Sequence, residues 1–262
     1  MPILIATRGP KSGECNVCGD IGPLTEDHTP PKGCLKPKQV ELHHISHHLS
    51  DGGNRTKGRI SQNGVKYRTL CPRCNNTLLG ANYDPPFISF VNSVGSLLTS
   101  SLYLPNTFAV PGQPQAILRS LLGHMSAQGV GRYQKGPLTG VIRDFMLDTS
   151  IPLPAGLNAF YWAYPYRPHV MVRDAAFIDH VSQESVVIWL LKFFPMAFML
   201  TWGQPVGLNE LMQSFEPWRN SPFDLVTDLQ VTLRPTVHPY WPEAPSMQST
   251  LMYGQEAVCA GL

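Results

Sequence analysis

The sequence predicts an α+β protein in two parts, a small module over residues 1–86 and a larger mixed domain over 87–262. Three observations carry this. Two short β-prone segments, Thr25–His28 and Lys66–Leu70, are followed by a helical stretch from about Asn75. Each lies beside a C-x-x-C turn, Cys15/Cys18 for the first and Cys71/Cys74 for the second. Beyond Tyr83-Asp84-Pro85-Pro86, apolar residues recur at helical spacing (Phe87, Phe90, Val91, Val94, Leu97, Leu98), and Leu229–Leu233 alternates like a strand. A chain of 262 residues is long enough for two ordinary domains, and 25 prolines favour turns over long helices.

Residues 1–12 read as an arm or short strand closed by a Gly-Pro turn. Residues 13–35 hold a knuckle around Cys15 and Cys18, a turn at Gly22-Pro23 and the strand ending at His28. Thr29-Pro30-Pro31 then forces an extended exit, because proline denies helical geometry to the residue before it. Residues 36–64 are polar, with Asp51-Gly52-Gly53-Asn54 and Gln62-Asn63-Gly64 as turn signals. They read as an insertion loop, mobile over His43–Arg59 and close to the active face. Lys66–Leu70 is the second strand, and Cys71-Pro72-Arg73-Cys74 turns it into a helix with Gly80 near its end. Residues 103–170 read as short helices between Pro/Gly turns, 170–235 as apolar helix and strands, and the tail from Pro235 as irregular. Val186–Trp202 is nearly all apolar but has Lys192 and Pro195 at its middle. A spanning helix wants about 20 apolar residues, and a central lysine costs roughly 2.5–3.5 kcal/mol on insertion. The run therefore reads as two buried core segments, with no membrane span.

The formal net charge of +2 is unevenly placed: residues 1–90 hold 11 Lys/Arg against 7 Asp/Glu, and the remainder 9 against 11. The basic end is the one suited to a polyanion. Two of the six cysteines, Cys34 and Cys259, are single; the other four form tight pairs, the pattern of metal chelation in a reducing compartment. With no signal-peptide pattern at Met1–Ala6, the expected location is cytoplasmic. Two C-x-x-C turns complete a tetrahedral four-thiolate site, the closed arrangement of structural zinc. So small a unit has little core of its own, and the metal would supply much of its stability. The run His43-His44-Ile45-Ser46-His47-His48 reads as a solvated loop, with a second metal as its alternative, and Cys34 as buried.

Between the cysteine pairs lie Glu26-Asp27-His28-Thr29-Pro30-Pro31, and directly after the second pair Asn75-Asn76. In this order of parts the sequence resembles the HNH endonucleases, in the cysteine-bearing branch with a ββα-metal fold. The match covers residues 13–84, about a quarter of the chain. The resemblance implies that the 1–86 module is a nuclease with His28 as general base. It also implies that Asp27 and Asn75 are oxygen ligands of a catalytic Mg²⁺ or Mn²⁺, separate from the zinc of Cys15, Cys18, Cys71 and Cys74. The chemistry suits these residue types: an imidazole titrates near neutrality and hard oxygens bind such cations. Arg55, Lys57, Arg59, Lys66, Arg68 and Arg73 are candidate contacts to the nucleic-acid backbone. DNA is favoured over RNA as substrate, and resemblance to short bacterial and phage HNH proteins implies a role in defence against phage or mobile DNA. One position departs from the family: Lys66 stands nine residues before Asn75, where a middle Asn would orient the base. Lysine cannot accept an imidazole N–H, so a backbone carbonyl near Lys66-Tyr67 or a side chain such as Asn63 would replace it. The alternative function is a non-catalytic zinc module that binds nucleic acid or a partner protein; a degenerate nuclease subunit is a third reading, which Lys66 favours. Residues 87–262 are expected to self-associate or dock a partner protein through their apolar runs.

Overall fold

A computed structural model describes residues 5–36, 38–49, 58–100, 103–131, 137–203, 212–233, 242–245, 247–254 and 256–261. In chain order these form β1 (Ser12–Glu14), β2 (Ile21–Pro23), β3 (Thr25–His28), β4 (Val40–His44), α1 (Ser46–Leu49), β5 (Arg59–Ser61) and β6 (Lys66–Leu70). A π-helix over Arg73–Tyr83 runs directly into α2 (Asp84–Leu98). Then come β7 (Thr107–Gly112), α3 (Pro114–Ala127), α4 (Pro137–Leu147), β8 (Leu157–Ala163), β9 (His169–Asp179), β10 (Ser185–Phe193) and β11 (Met196–Trp202). The last elements are β12 (Gln213–Ser214), β13 (Thr227–Thr232), β14 (Ser249–Met252) and β15 (Val258–Gly261). The fold is mixed α+β, with many strands and few helices. Arg55 and Lys57 lie outside the described residues.

One large antiparallel sheet runs in the order β12-β8-β11-β10-β9-β15-β4-β5, with β14 also pairing β9. The long apolar run of the sequence is its central hairpin, β10 and β11, turning at Phe194-Pro195. Both faces of this hairpin are covered, which explains why polar residues do not alternate along it. Leu191, Phe193, Met196, Phe198 and Leu200 belong to one core; Ile188, Leu190, Ala197 and Met199 belong to a second on the opposite face. Lys192, wholly buried in this hairpin, is paired with Glu243 at 2.9 Å. No helix among the described residues is long and apolar enough to cross a membrane.

Helix α3 is the central element: all of its residues are buried, so it is enclosed on every side. Its polar side chains must then find partners inside the protein. Arg119 donates to the carbonyls of Phe145, Asp148 and Ile151 and to Gln115, and lies 3.9 Å over the Phe145 ring.

Several elements differ from the sequence reading. The stretch expected to be an insertion loop over 36–64 contributes β4, α1 and β5. Val40 and Leu42 face inward in alternation with Glu41, a period masked by its shortness and by the adjoining histidines. Strand β4 pairs with β15, and β15 with β9, so residues 40–44 join the same sheet as residues 157–202. The tail beyond Pro235 is not irregular throughout, because β14 and β15 both lie in it. Gly80 does not end the helix, which continues to Leu98. Residues on both sides of position 86 share one core, from Cys15 and Tyr67 to Phe198 and Val258. The runs Val186–Leu191 and Phe193–Trp202 lie largely within these cores, leaving Val187 as their most exposed large apolar side chain.

Candidate metal centre and histidine pocket

The four cysteines converge from two separate turns. Cys15 follows β1, and the left-handed Gly19 (φ 80°) lets the chain double back so that the Cys15 N–H reaches the Asp20 carbonyl. The amide of Asp20 donates to the Cys18 sulfur at 3.5 Å and that of Cys71 to the Cys15 sulfur at 3.3 Å. All four Sγ atoms lie within 4.8 Å of one another, with Cys18 and Cys71 at 3.8 Å. Tetrahedral zinc with Zn–S bonds of about 2.3 Å needs sulfur–sulfur edges of about 3.8 Å. The donor set fits a closed, buried structural metal site. Among the described residues no other cluster of three or more His, Cys, Asp or Glu side chains has this convergence. His43 approaches Glu41, and His44 binds Ser46 and the Gly254 carbonyl. Cys34 is buried.

Strands β3 and β6 pair so that Glu26 faces Arg68, Asp27 faces Tyr67 and His28 faces Lys66. Alternation along β3 separates adjacent residues. Glu26 is held by Lys66 at 2.7 Å and Arg68 at 3.0 Å, and the Lys66 contact draws its carboxyl below the usual range despite partial burial. Asp27 turns inward and is 3% exposed. Its Oδ2 lies 2.8 Å from His124 Nδ1 on α3, while His124 Nε2 lies 2.9 Å from Asp84 Oδ1. Ser120 donates to the same Asp84 oxygen. Burial opposes a charged imidazole, but the two carboxylates outweigh it and lift His124 to about 10. Burial raises Asp27, and it is overcome at Asp84 by His124 and Ser120, which hold that carboxyl below its ordinary value. This buried Asp–His–Asp chain lies outside the sequence reading, where its trace is the four-residue spacing that puts Ser120 and His124 on one face of α3.

His28 ends β3 half-buried, with Nε2 3.1 Å from the backbone carbonyl of Asn63. Asn63 is left-handed (φ 61°), which aims this carbonyl out of the Gln62-Asn63-Gly64 turn. A main-chain oxygen thus stands where the sequence left a choice between a carbonyl nearer Tyr67 and the Asn63 side chain. Burial lowers the His28 pKa, with Lys66 acting in the same direction and Asp27 against it. Asn75, at the start of the π-helix, donates its amide to Thr25 Oγ1 at 2.8 Å and to the Glu26 carbonyl at 3.0 Å, tying the helix to β3. His124 thus engages Asp27 Oδ2, and β3 takes the Asn75 amide N–H groups; a site for catalytic Mg²⁺ or Mn²⁺ is not shown.

The described basic candidates fall in different places. Arg59 donates to the Ile5 carbonyl and, with Arg8, Gln62 and Lys66, lines a polar notch of about 210 Å³. Arg68 is engaged by Glu26, and Arg73 is exposed at the helix start. His28 borders a different and larger cavity, of about 470 Å³, between the 28–40 segment and the large sheet. No family model matches the chain, and no curated protein or solved structure matches it.

Proposed function

We propose that this chain is a zinc-stapled hydrolase of phosphodiester bonds in nucleic acid, DNA before RNA, with His28 as general base. The observation that carries the reading is the state of His28. The Asn63 carbonyl accepts the proton on Nε2, so the lone pair sits on Nδ1, and the lowered pKa keeps the ring neutral at neutral pH. A neutral, oriented imidazole at a strand end is what proton abstraction from water requires. Lys66, opposite His28 on β6, and Lys32, which lines the same cavity, supply positive charge near it for the phosphate. The order Cys15/Cys18, Asp27-His28, Cys71/Cys74, Asn75, which resembles HNH endonucleases, supports the same reading. The divalent cation that this resemblance implies finds Asp27 already bound to His124.

That last observation favours a second reading, a zinc module that binds nucleic acid without cutting it. Purified protein incubated with plasmid and Mg²⁺ or Mn²⁺ separates the two. A hydrolase nicks or linearises the plasmid, and His28→Ala removes about 10²–10⁴-fold of the rate with zinc content unchanged. Retention of the plasmid on a gel with no cleavage by the wild-type chain would establish the binder instead.

A further inference from the structure

The cavity beside His28 has a composition that neither zinc binding nor proton abstraction explains. Its walls are apolar and aromatic, including Leu35, Val40, Phe193 and Phe194. Lys32, Lys36, Lys38 and Arg167 line it as exposed cations, and among the described residues no acidic one lines it. One wall residue is His169, 8% exposed, whose buried Nε2 has no hydrogen-bond partner among the described residues. Burial holds its pKa down at about 3, so the ring is neutral. A buried polar atom left without a partner is a cost that folded proteins seldom carry unless a ligand or water meets it.

We propose that this cavity receives one nucleotide of the substrate strand, unstacked from its neighbours, with the base against Phe194 and Leu35 and the phosphate among the lysines and Arg167. The inference rests on the nucleic-acid reading of the site. A volume of about 470 Å³ is within the usual range of small-ligand pockets, roughly 300–1,000 Å³. The cationic side chains call for an anion, and the aromatic walls for a flat apolar surface. A strand with its repeated phosphates suits four cations around one cavity better than the single carboxylate of a fatty acid does. His28 lines the same cavity, so a nucleotide held there sits beside the phosphate that His28 would act on. Unpaired or weakly paired strands are then the preferred substrates, because a base in a stable duplex must first be extruded.

The test is titration of the zinc-loaded chain with the four deoxynucleoside 5′-monophosphates at millimolar concentrations, read by calorimetry and by the imidazole signals of His28 and His169. At least one should bind saturably and shift the His169 signal. Phe194→Ala, which removes an accessible aromatic wall, should weaken that binding about tenfold or more. The exposed double variant Lys38→Gln/Arg167→Gln, which leaves the core intact, should weaken it about tenfold or more, as loss of one good charged contact does. A single-stranded oligonucleotide should displace the mononucleotide. Absence of saturable binding, or binding indifferent to both variants, would overturn the proposal; a bound mononucleotide that no oligonucleotide displaces would overturn the strand as its source. Nucleotide binding by a chain that never cleaves would retain the pocket and remove only the hydrolase reading, while cleavage without nucleotide binding would do the reverse.

Discussion

Asp27 and His28 are neighbours in sequence, and strand geometry sends them to opposite fates. The pair was legible as a chemical unit, but its partners were not, since His124 stands 97 positions from Asp27 and Asn63 stands 35 from His28. The acidic residue faces the interior and the imidazole faces the cavity. At Asp27 the consequence is one of stability. His124 has a folded-state pKa of about 10 against an ordinary value of 6.5, so the stabilisation from its charged form is fully present below about pH 6.5 and is lost as pH rises through 10. Denaturant unfolding followed from pH 6 to pH 10 should show stability falling across that window, and His124→Gln should flatten the fall. Breaking one member of a buried charged group typically costs about 3–5 kcal/mol, so His124→Gln should also be strongly destabilised at pH 6. A variant as stable as the wild type would show that the triad is not formed.

The elements divide by how strongly local sequence marks them. The boundaries of β3 and β6 were readable because turn signals and cysteine pairs bracket them. The β10–β11 hairpin was readable as two segments because Pro195 interrupts an apolar run. Strands β4, β5, β14 and β15 were not, since each is five residues or shorter and β4, β14 and β15 owe their form to pairing with distant chain. Val258–Gly261 is held between β4 and β9, so the amides of Leu42, His44 and Ala260 should exchange slowly with solvent in the free protein. Rapid exchange there would restore the mobile loop that composition suggests. The cysteine cluster yields a separate test. Elemental analysis should find about one zinc per chain, and Cys74→Ser should lose it together with cooperative folding of the region around β3 and β6. Zinc-free protein with four intact thiols and an unchanged unfolding midpoint would contradict the assignment.

At the scale of the whole molecule, the two parts suggested by composition are fastened by one sheet and one core, with α3 packed against β3 and β6 and against the large sheet. The apolar runs that suggested a docking surface are largely buried within these cores, so a self-associating chain would have to use another face. This construction places the His28 cavity at the junction, with one wall from the 28–40 segment and the other from Arg167, His169, Phe193 and Ala260 of the large sheet. The first ninety residues alone therefore supply only one wall of this cavity. The measurement that bears most directly on the central claim is cleavage of single-stranded and supercoiled DNA by zinc-loaded protein with Mg²⁺ or Mn²⁺, run beside His28→Ala with matched zinc content. The account predicts strand scission by the wild-type chain, faster on unpaired DNA, and at least about 10²-fold less by the variant. Equal scission by the two proteins, or none by the wild type under either metal, would contradict it.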